Sequence, residues 1–233
     1  LKIKDKAKGI WSKSADLGTG HNHDETLWEA MLQTMYFGKG KQHMLRYSGD
    51  NLGRSIEIST DHYGFSSEGN SRMVSLVEHS SPPIGNSLFG YRHSINLNNL
   101  AKLSDSITIN YNFNYSHNFS RGHSFSQTTY FLPNGVKQLL MEDVADRTHT
   151  HSANIQLIYE MNLQRRYLKN AFSLWGRWNE GRGDILSAHQ YQPSMLNETI
   201  GDSSISQTLH YRSLGVTNCT HWVYRTAKGG GFE

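Results

Sequence analysis

The sequence predicts an all-β protein, an antiparallel up-and-down transmembrane β-barrel segment in which the chain supplies about nine strands. Three observations predict this class. Apolar side chains recur at every second residue, neutral polar residues stand where charges are usual, and short connections alternate with long ones. Only 18% of the 233 residues are charged, against about one quarter in an ordinary soluble domain. A barrel with a polar interior and an apolar exterior needs such a composition.

Residues 106–116 show the period of two most clearly. Isoleucine, tyrosine and phenylalanine occupy the odd positions from Ile107 to Tyr115, and serine, threonine and asparagine occupy the even ones. The segment is longer than the five or six residues or so of an average strand. It matches the roughly 9–11 residues that cross a bilayer as a tilted strand. We therefore expect one face in lipid and the other facing a polar lumen.

The other predicted strands repeat this pattern less regularly. Each of the segments 1–11, 26–36, 89–98 and 152–161 has one set of apolar residues that is expected to share a face. Three shorter sets follow farther along the chain. The sets are Leu1, Ile3, Ala7 and Trp11; Trp28, Ala30, Leu32 and Tyr36; Phe89, Tyr91, His93, Ile95 and Leu97; Ala153, Ile155, Leu157, Tyr159 and Met161; Phe172, Leu174 and Trp178; Ile205, Leu209 and Tyr211; and Trp222 and Tyr224.

Short and long connections are expected on opposite sides of the membrane. Short turns are predicted at 38–41 and near 99–104, 163–169 and 214–216. Long polar loops are predicted at 15–25, 59–88, 119–151 and 180–204, and these extracellular loops would recognise the ligand. All four prolines lie in these loops, which is expected because proline cannot donate a backbone hydrogen bond to a neighbouring strand. One short helix is predicted, over 135–146.

Aromatic residues near the predicted strand ends favour an interfacial girdle, in which each ring lies at the level of the lipid headgroups. In a soluble protein these aromatics would instead form part of the core or a carbohydrate-stacking platform. The expected girdle comprises Trp11, Trp28, Tyr36, Tyr91, Tyr111, Tyr115, Trp178, Tyr211, Trp222 and Tyr224.

Two histidine pairs are weak candidates for metal ligands. His21 and His23, and His149 and His151, are each two residues apart, which places both rings on one face of a strand. Neither pair has a third ligand in register, so no metal site and no cofactor is expected.

An enzyme is not expected either. The nearest thing to a hydrolytic constellation is a group of acidic residues close to His149, namely Glu142, Asp143 and Asp146. Neither a nucleophile elbow of the form Gly-x-Ser-x-Gly nor a phosphate-binding loop occurs in the sequence. Catalytic residues are therefore predicted to be absent.

Charge and cysteine content exclude other classes. A net charge of +3 is too small to favour nucleic acid as a partner. Cys219 is the single cysteine, so the chain cannot form an internal disulfide. No segment approaches the roughly 20 apolar residues of a spanning helix. The chain starts without a signal peptide, so we expect that residues upstream are missing.

The order of segments resembles the barrel region of TonB-dependent receptors from Bacteroidetes-type bacteria, in the group with a carboxypeptidase-regulatory-like N-terminal domain. The strand containing Lys8-Gly9-Ile10-Trp11-Ser12 precedes a glycine-rich loop and the strand that ends at 32–37. The tight turn at 38–41 then leads to a strand ending near Asn51-Leu52. The strand end at 113–116, Phe-Asn-Tyr-Ser, is also similar.

This resemblance implies a barrel of about 22 strands with a plug domain inside it. It also implies energy-coupled uptake of a siderophore, glycan or peptide across the outer membrane of a Gram-negative cell. Residues 1–233 would be part of the barrel, while the plug and the segment that contacts the TonB complex would lie upstream. Two alternatives remain open, a soluble β-sandwich or propeller that binds carbohydrate and a barrel-type outer-membrane enzyme.

Overall fold

The computed structural model describes residues 9–21, 25–52, 89–132, 137–192, 199–225 and 231–232. These residues form one antiparallel sheet in which every strand pairs with its neighbour in sequence. The all-β, up-and-down prediction is confirmed. The strands are β1 (Ile10–His21), β2 (Thr26–Gly38), β3 (Lys41–Asp50), β4 (Phe89–Ser104), β5 (Ile107–Phe131), β6 (Lys137–Asn162), β7 (Arg166–Gln192), β8 (Thr199–Arg225) and the two-residue β9 (Gly231–Phe232).

Three tight turns lie along one edge of this sheet, which we call the turn edge. Lys39 and Gly40 join β2 to β3, and Gly40 adopts a φ of 70°, a left-handed conformation that suits glycine. Asp105 and Ser106 join β4 to β5. Residues 163–165 join β6 to β7, where the Leu163 amide donates to the Arg166 carbonyl at 2.8 Å.

The first of these turns agrees with the prediction at 38–41, whereas the other two differ from their predicted bounds. The turn expected near 99–104 lies just beyond, since β4 continues to Ser104, and the one expected at 163–169 is shorter. The short turn expected at 214–216 is wrong, because both Leu214 and Val216 lie within β8.

Three of the predicted long loops are also largely strand. Most of 15–25 belongs to β1, and most of 119–151 and 180–204 belongs to β5, β6, β7 and β8. The helix expected over 135–146 is wrong, since residues from Lys137 onward belong to β6. Pairing on both sides satisfies the backbone of β6 along its whole length, and this tertiary effect outweighs local helical preference. The fourth loop, 59–88, and all four prolines lie outside the described residues.

The described part of the chain contains one sheet layer and no second sheet packed against it. The two-layer core of the predicted β-sandwich alternative is therefore not formed by these residues. No helix within the described ranges is long and apolar enough to cross a membrane.

Strand register decides which side chains share a face, because directly opposed residues of an antiparallel pair point the same way. Phe113 of β5 opposes Leu97 of β4 and Ile155 of β6, and Ile155 opposes Leu174 of β7. We call the face containing these four residues the band face. The opposite face, which includes Asn114, is the polar face.

Burial on the two faces is inverted relative to a soluble protein. On the band face of the central strands β5 and β6, Tyr111 and Ile155 keep 41% and 43% of their surface exposed. On the polar face, Asn110 and Ser116 keep only 8% and 3%. Side chains crowd together on the inside of a curved sheet and separate on the outside, so this pattern indicates that the sheet curves toward its polar face.

The close approach of β4 and β5 makes a glycine necessary at position 90. A Cβ added to Gly90 would lie 2.4 Å from the backbone oxygen of Phe119, whereas one added to Gly18 would meet nothing nearer than 3.7 Å. We expect Gly90→Ala to lower the free energy of unfolding by about 1–3 kcal/mol, the usual cost of overpacking. Gly18→Ala, on the same face, should leave it unchanged or raise it slightly. Urea titration of both variants measures the difference, and equal midpoints would contradict the prediction.

Candidate functional site

An apolar band crosses β1 to β8 on the band face. It is built from alternate residues of each strand, and the register brings them into continuous rows. Its aliphatic and phenylalanine members are Ala15, Leu17, Ala30, Leu32, Leu45, Ile95, Leu97, Ala101, Ile107, Ile109, Phe113, Ala153, Ile155, Leu157, Met161, Leu168, Phe172, Leu174, Leu214 and Val216. Several large members, such as Leu32, Ile155 and Leu214, are exposed, so the band is an uncovered apolar surface over the described residues.

Two of the polar interruptions in the band form pairs across neighbouring strands. The Asn170 amide donates to Asn218 Oδ1 at 2.8 Å and to Thr220 Oγ1 at 2.7 Å. His43 hydrogen-bonds to Asn99 through its Nδ1. Such pairing lowers the cost of placing polar groups in an apolar environment. Lys13, on the outermost strand, is a charged interruption of the band.

An aromatic row borders the band near the turn edge. The rings of Trp11 and Tyr36 have centroids 4.9 Å apart, and Tyr36 stacks on His43 at 5.8 Å. On β8, Trp222 and Tyr224 lie 6.4 Å apart at the same edge. Each ring is amphipathic, with an apolar body and a polar atom at its rim.

A second aromatic row, which we call the far rim, borders the band on the opposite side. The ring centroids of Trp28 and His93 are 5.7 Å apart, and those of Tyr91 and Phe119 are 5.1 Å apart. Trp178 directly opposes His151 and continues the row onto β7. In β2, Trp28 and Tyr36 are eight positions apart, which corresponds to about 26 Å along a strand. The predicted girdle residues Tyr111 and Tyr115 also lie on the band face, where Tyr111 directly opposes Asn99 and Tyr115 directly opposes Ile95.

The expectation that Tyr211 belongs to this girdle is wrong. Tyr211 opposes Asn179, which opposes Thr150, and this register places Tyr211 on the polar face. Ile205 and Leu209 share that face, for the same reason. The band residues of this strand are instead at even positions, including Leu214, Val216 and Trp222.

Histidines converge at the far rim. His93 opposes His117, and His117 opposes His151, so three imidazoles lie side by side on β4, β5 and β6. The His117 and His151 rings stack with centroids 4.2 Å apart, and His117 Nε2 lies 3.4 Å from His149 Nδ1. Tyrosine hydroxyls orient two of the rings, Tyr47 at 2.8 Å from His93 and Tyr115 at 2.9 Å from His151.

The expected metal candidates do not form a preorganised centre. His149 and His151 do share a face, as predicted, and the rings of both stack against His117. His21 ends β1 on the exposed outer strand, and His23 lies outside the described residues. Within the described ranges, no group of three or more histidine, cysteine, aspartate or glutamate side chains is arranged to hold a metal ion.

The polar face forms a hydrogen-bonded network. Asn112 donates to Gln156 at 3.1 Å, and serines pair across strands, Ser116 with Ser152 at 2.6 Å and Ser48 with Ser94 at 2.7 Å. Several buried polar atoms on this face still have no partner among the described residues. They are Asn110 Oδ1, Asn112 Oδ1, Asn179 Oδ1 and Arg177 Nε. Because buried polar atoms are almost always hydrogen-bonded, this face is suited to water or a polar partner.

The candidate catalytic carboxylates do not converge on His149. Asp143 and His149 lie on the band face of β6, whereas Glu142 and Asp146 lie on the polar face. Asp143 instead contacts His123 Nε2 at 2.7 Å, and Glu142 accepts from Ser126 at 3.3 Å. These three carboxylates therefore do not form the group around His149 that the sequence suggested.

Beyond the far rim, β5 to β8 continue as a four-stranded sheet extension. It comprises 121–131, 137–147, 182–192 and 199–208. Over 121–131, 137–147, 182–190 and 203–208, both of its faces are predominantly polar. It contains exposed apolar residues, among them Phe125, Phe131 and Leu186. These residues lie within 119–151 and 180–204, two of the segments predicted as loops, and their described parts are paired strands.

No protein-family model matches the chain, and no curated protein matches it either. The physical properties of the two faces and of the sheet extension therefore have to support any assignment of function.

Proposed function

We propose that the chain is a segment of an outer-membrane β-barrel that takes up or binds a nutrient at the cell surface. The observation that supports this most directly is the inverted burial of the two faces. On the central strands, an apolar side chain as large as Ile155 is exposed on the band face, while Ser116 is buried on the polar face. This distribution is unfavourable in water and favourable when hydrocarbon surrounds the band.

The dimensions of the band support a membrane location. In β5 the apolar run from Ile107 to Tyr115 has the length of a tilted transmembrane strand. Aromatic rows border the band on both sides, as in outer-membrane barrels. The short turns would face the periplasm and the sheet extension would face the exterior.

Within this proposal the polar face would line the lumen, and the sheet extension would contact the imported ligand. The resemblance of the segment order suggests a TonB-dependent receptor, whose plug and TonB-contacting segment would be supplied by upstream sequence. Lipid would surround the band. The described residues alone form an open sheet, so closure would require further strands.

Refolding of the protein with the strands that close the barrel present tests the proposal. We expect a β-rich species in detergent or phosphatidylcholine vesicles that migrates faster on a gel before heating than after it. In plain buffer the exposed band should drive aggregation. Circular dichroism, sedimentation and gel migration with and without heating provide the measurements. A compact β-rich monomer in plain buffer would contradict a membrane location and favour a soluble carbohydrate-binding module.

A further inference from the structure

Three arginines form a transverse row on the band face just beyond the far rim. Arg121 of β5 directly opposes Arg147 of β6, and Arg147 directly opposes Arg182 of β7. We call these three residues the arginine row. Directly opposed side chains have Cβ atoms about 4.5–5.5 Å apart, and like charges in that position destabilise a sheet. An arrangement of this kind is favourable when an anion lies between the guanidinium groups.

Carboxylates of the chain neutralise the two ends of the row better than its centre. Arg182 Nε lies 3.2 Å from Asp184, and Arg121 Nη2 lies 3.8 Å from Glu25. Hydrogen bonds from Ser206 and then from Arg182, together with the charges of Arg182 and, more weakly, Arg147, hold the pKa of Asp184 below its usual range, so this carboxylate stays ionised. Among the described residues, Arg147 has no carboxylate within salt-bridge distance.

The position of the row selects the kind of anion. Along β5, Arg121 follows Phe119 of the far rim by two residues, and along β7, Arg182 follows Trp178 by four. If the aromatic rim lies at the level of the headgroups, the guanidinium groups on the same face extend into the phosphate layer of the lipid. Arginine binds phosphate with two parallel hydrogen bonds, which makes it the preferred residue for this contact.

We propose that the arginine row binds the phosphate of an anionic lipid headgroup in the leaflet next to the sheet extension. Arg147 is the central contact, and Arg121 and Arg182 provide flanking charge. His149 directly opposes Phe119 in the row next to the arginines, on the side of the far rim. It supplies a further polar group at the edge of the site. This inference rests on the proposed membrane location.

The inference is tested with the detergent-folded protein, with the strands that close the barrel present. It is titrated with phosphatidic acid, and bound lipid is counted by native mass spectrometry. We expect phosphatidic acid to bind more tightly than phosphatidylcholine. Each lost arginine should weaken it about fivefold, and Arg147→Gln with Arg182→Gln about 25-fold, from roughly 1 kcal/mol for each basic residue at a lipid surface. Arg46→Gln is the matched control, since Arg46 is exposed on the polar face of β3. It should leave the affinity unchanged.

The outcomes separate this inference from the membrane proposal. If the chain folds in detergent but binds both lipids equally, or if Arg46→Gln weakens binding as much as the double variant, the inference is overturned and the membrane proposal stands. Competition by inorganic phosphate at the same concentration as the lipid would also overturn it, by assigning the row to a free anion. Failure of the wild-type protein to fold with any lipid, with the strands that close the barrel present, would overturn both. If the double variant does not fold, Arg147→Gln alone gives the same comparison with a fivefold expectation.

Discussion

Lysine in place of Phe113 is expected to lower the free energy of unfolding by about 2–4 kcal/mol in a bilayer. Phe113 is central in the apolar band, with Leu97 on one side and Ile155 on the other. An ammonium group at this depth would have to leave the hydrocarbon or draw water into it, and either response costs free energy. Urea unfolding of the vesicle-inserted chain, followed by tryptophan fluorescence, measures the effect.

Asn114→Lys is the matched control for this substitution. Asn114 adjoins Phe113 in sequence but lies on the polar face, between Asn96 and Asn154. A lysine there extends into the proposed lumen and should change the free energy of unfolding by less than about 1 kcal/mol. Ile109→Lys, on the band face, should behave like Phe113→Lys. Equal tolerance on both faces would remove the physical basis of the membrane proposal.

Removal of the Asp50 carboxylate should be the most damaging change on the polar face. Asp50 is 2% exposed, and it accepts hydrogen bonds from Arg92 Nε and from the Leu52 amide, the latter at 3.1 Å. Asp50→Ala leaves the Arg92 guanidinium in a largely buried position without this carboxylate. Removal of one partner from a buried ion pair typically costs about 3–5 kcal/mol. We expect a value of about 3 kcal/mol in urea unfolding, because the Arg92 side chain retains 21% exposure.

A second ion pair provides the comparison. Lys102 Nζ lies 2.7 Å from Asp105 at the turn edge, and both side chains are exposed. Water already solvates such a pair, so Asp105→Ala should leave the unfolding midpoint close to that of the wild type. Asp50→Asn keeps an acceptor for the Leu52 amide and should fall between the two alanine variants. If both alanine variants shift the midpoint equally, burial is not what gives the Asp50–Arg92 pair its importance.

Local sequence was sufficient to predict the fold class and one face of several strands. The odd residues from Ile107 to Tyr115 share a face because side chains alternate in any strand, whatever its partners are. The turn at Lys39 and Gly40 was also predictable, because glycine favours the left-handed backbone that the turn requires. The same local information failed in β6, where a helix was predicted near Leu139. Pairing with β5 and β7 decided that conformation.

Register decided the features that depend on more than one strand. The apolar residues of β8 change from odd positions, such as Leu209 and Tyr211, to even ones, such as Leu214. Only its pairing with β7 shows which of them join the band.

Composition and alternation therefore determined by themselves that this chain forms an antiparallel sheet with one apolar and one polar face. The tertiary structure alone decided how far the strands extend beyond the band, which histidines meet at the far rim, and that Arg121, Arg147 and Arg182 form a row. These residues are distant in sequence, and no local conformational preference determines that they lie next to each other. The hydrogen-bond ladders of β5, β6 and β7 determine which residues are neighbours, because a shift of one residue in register would move each side chain to the other face.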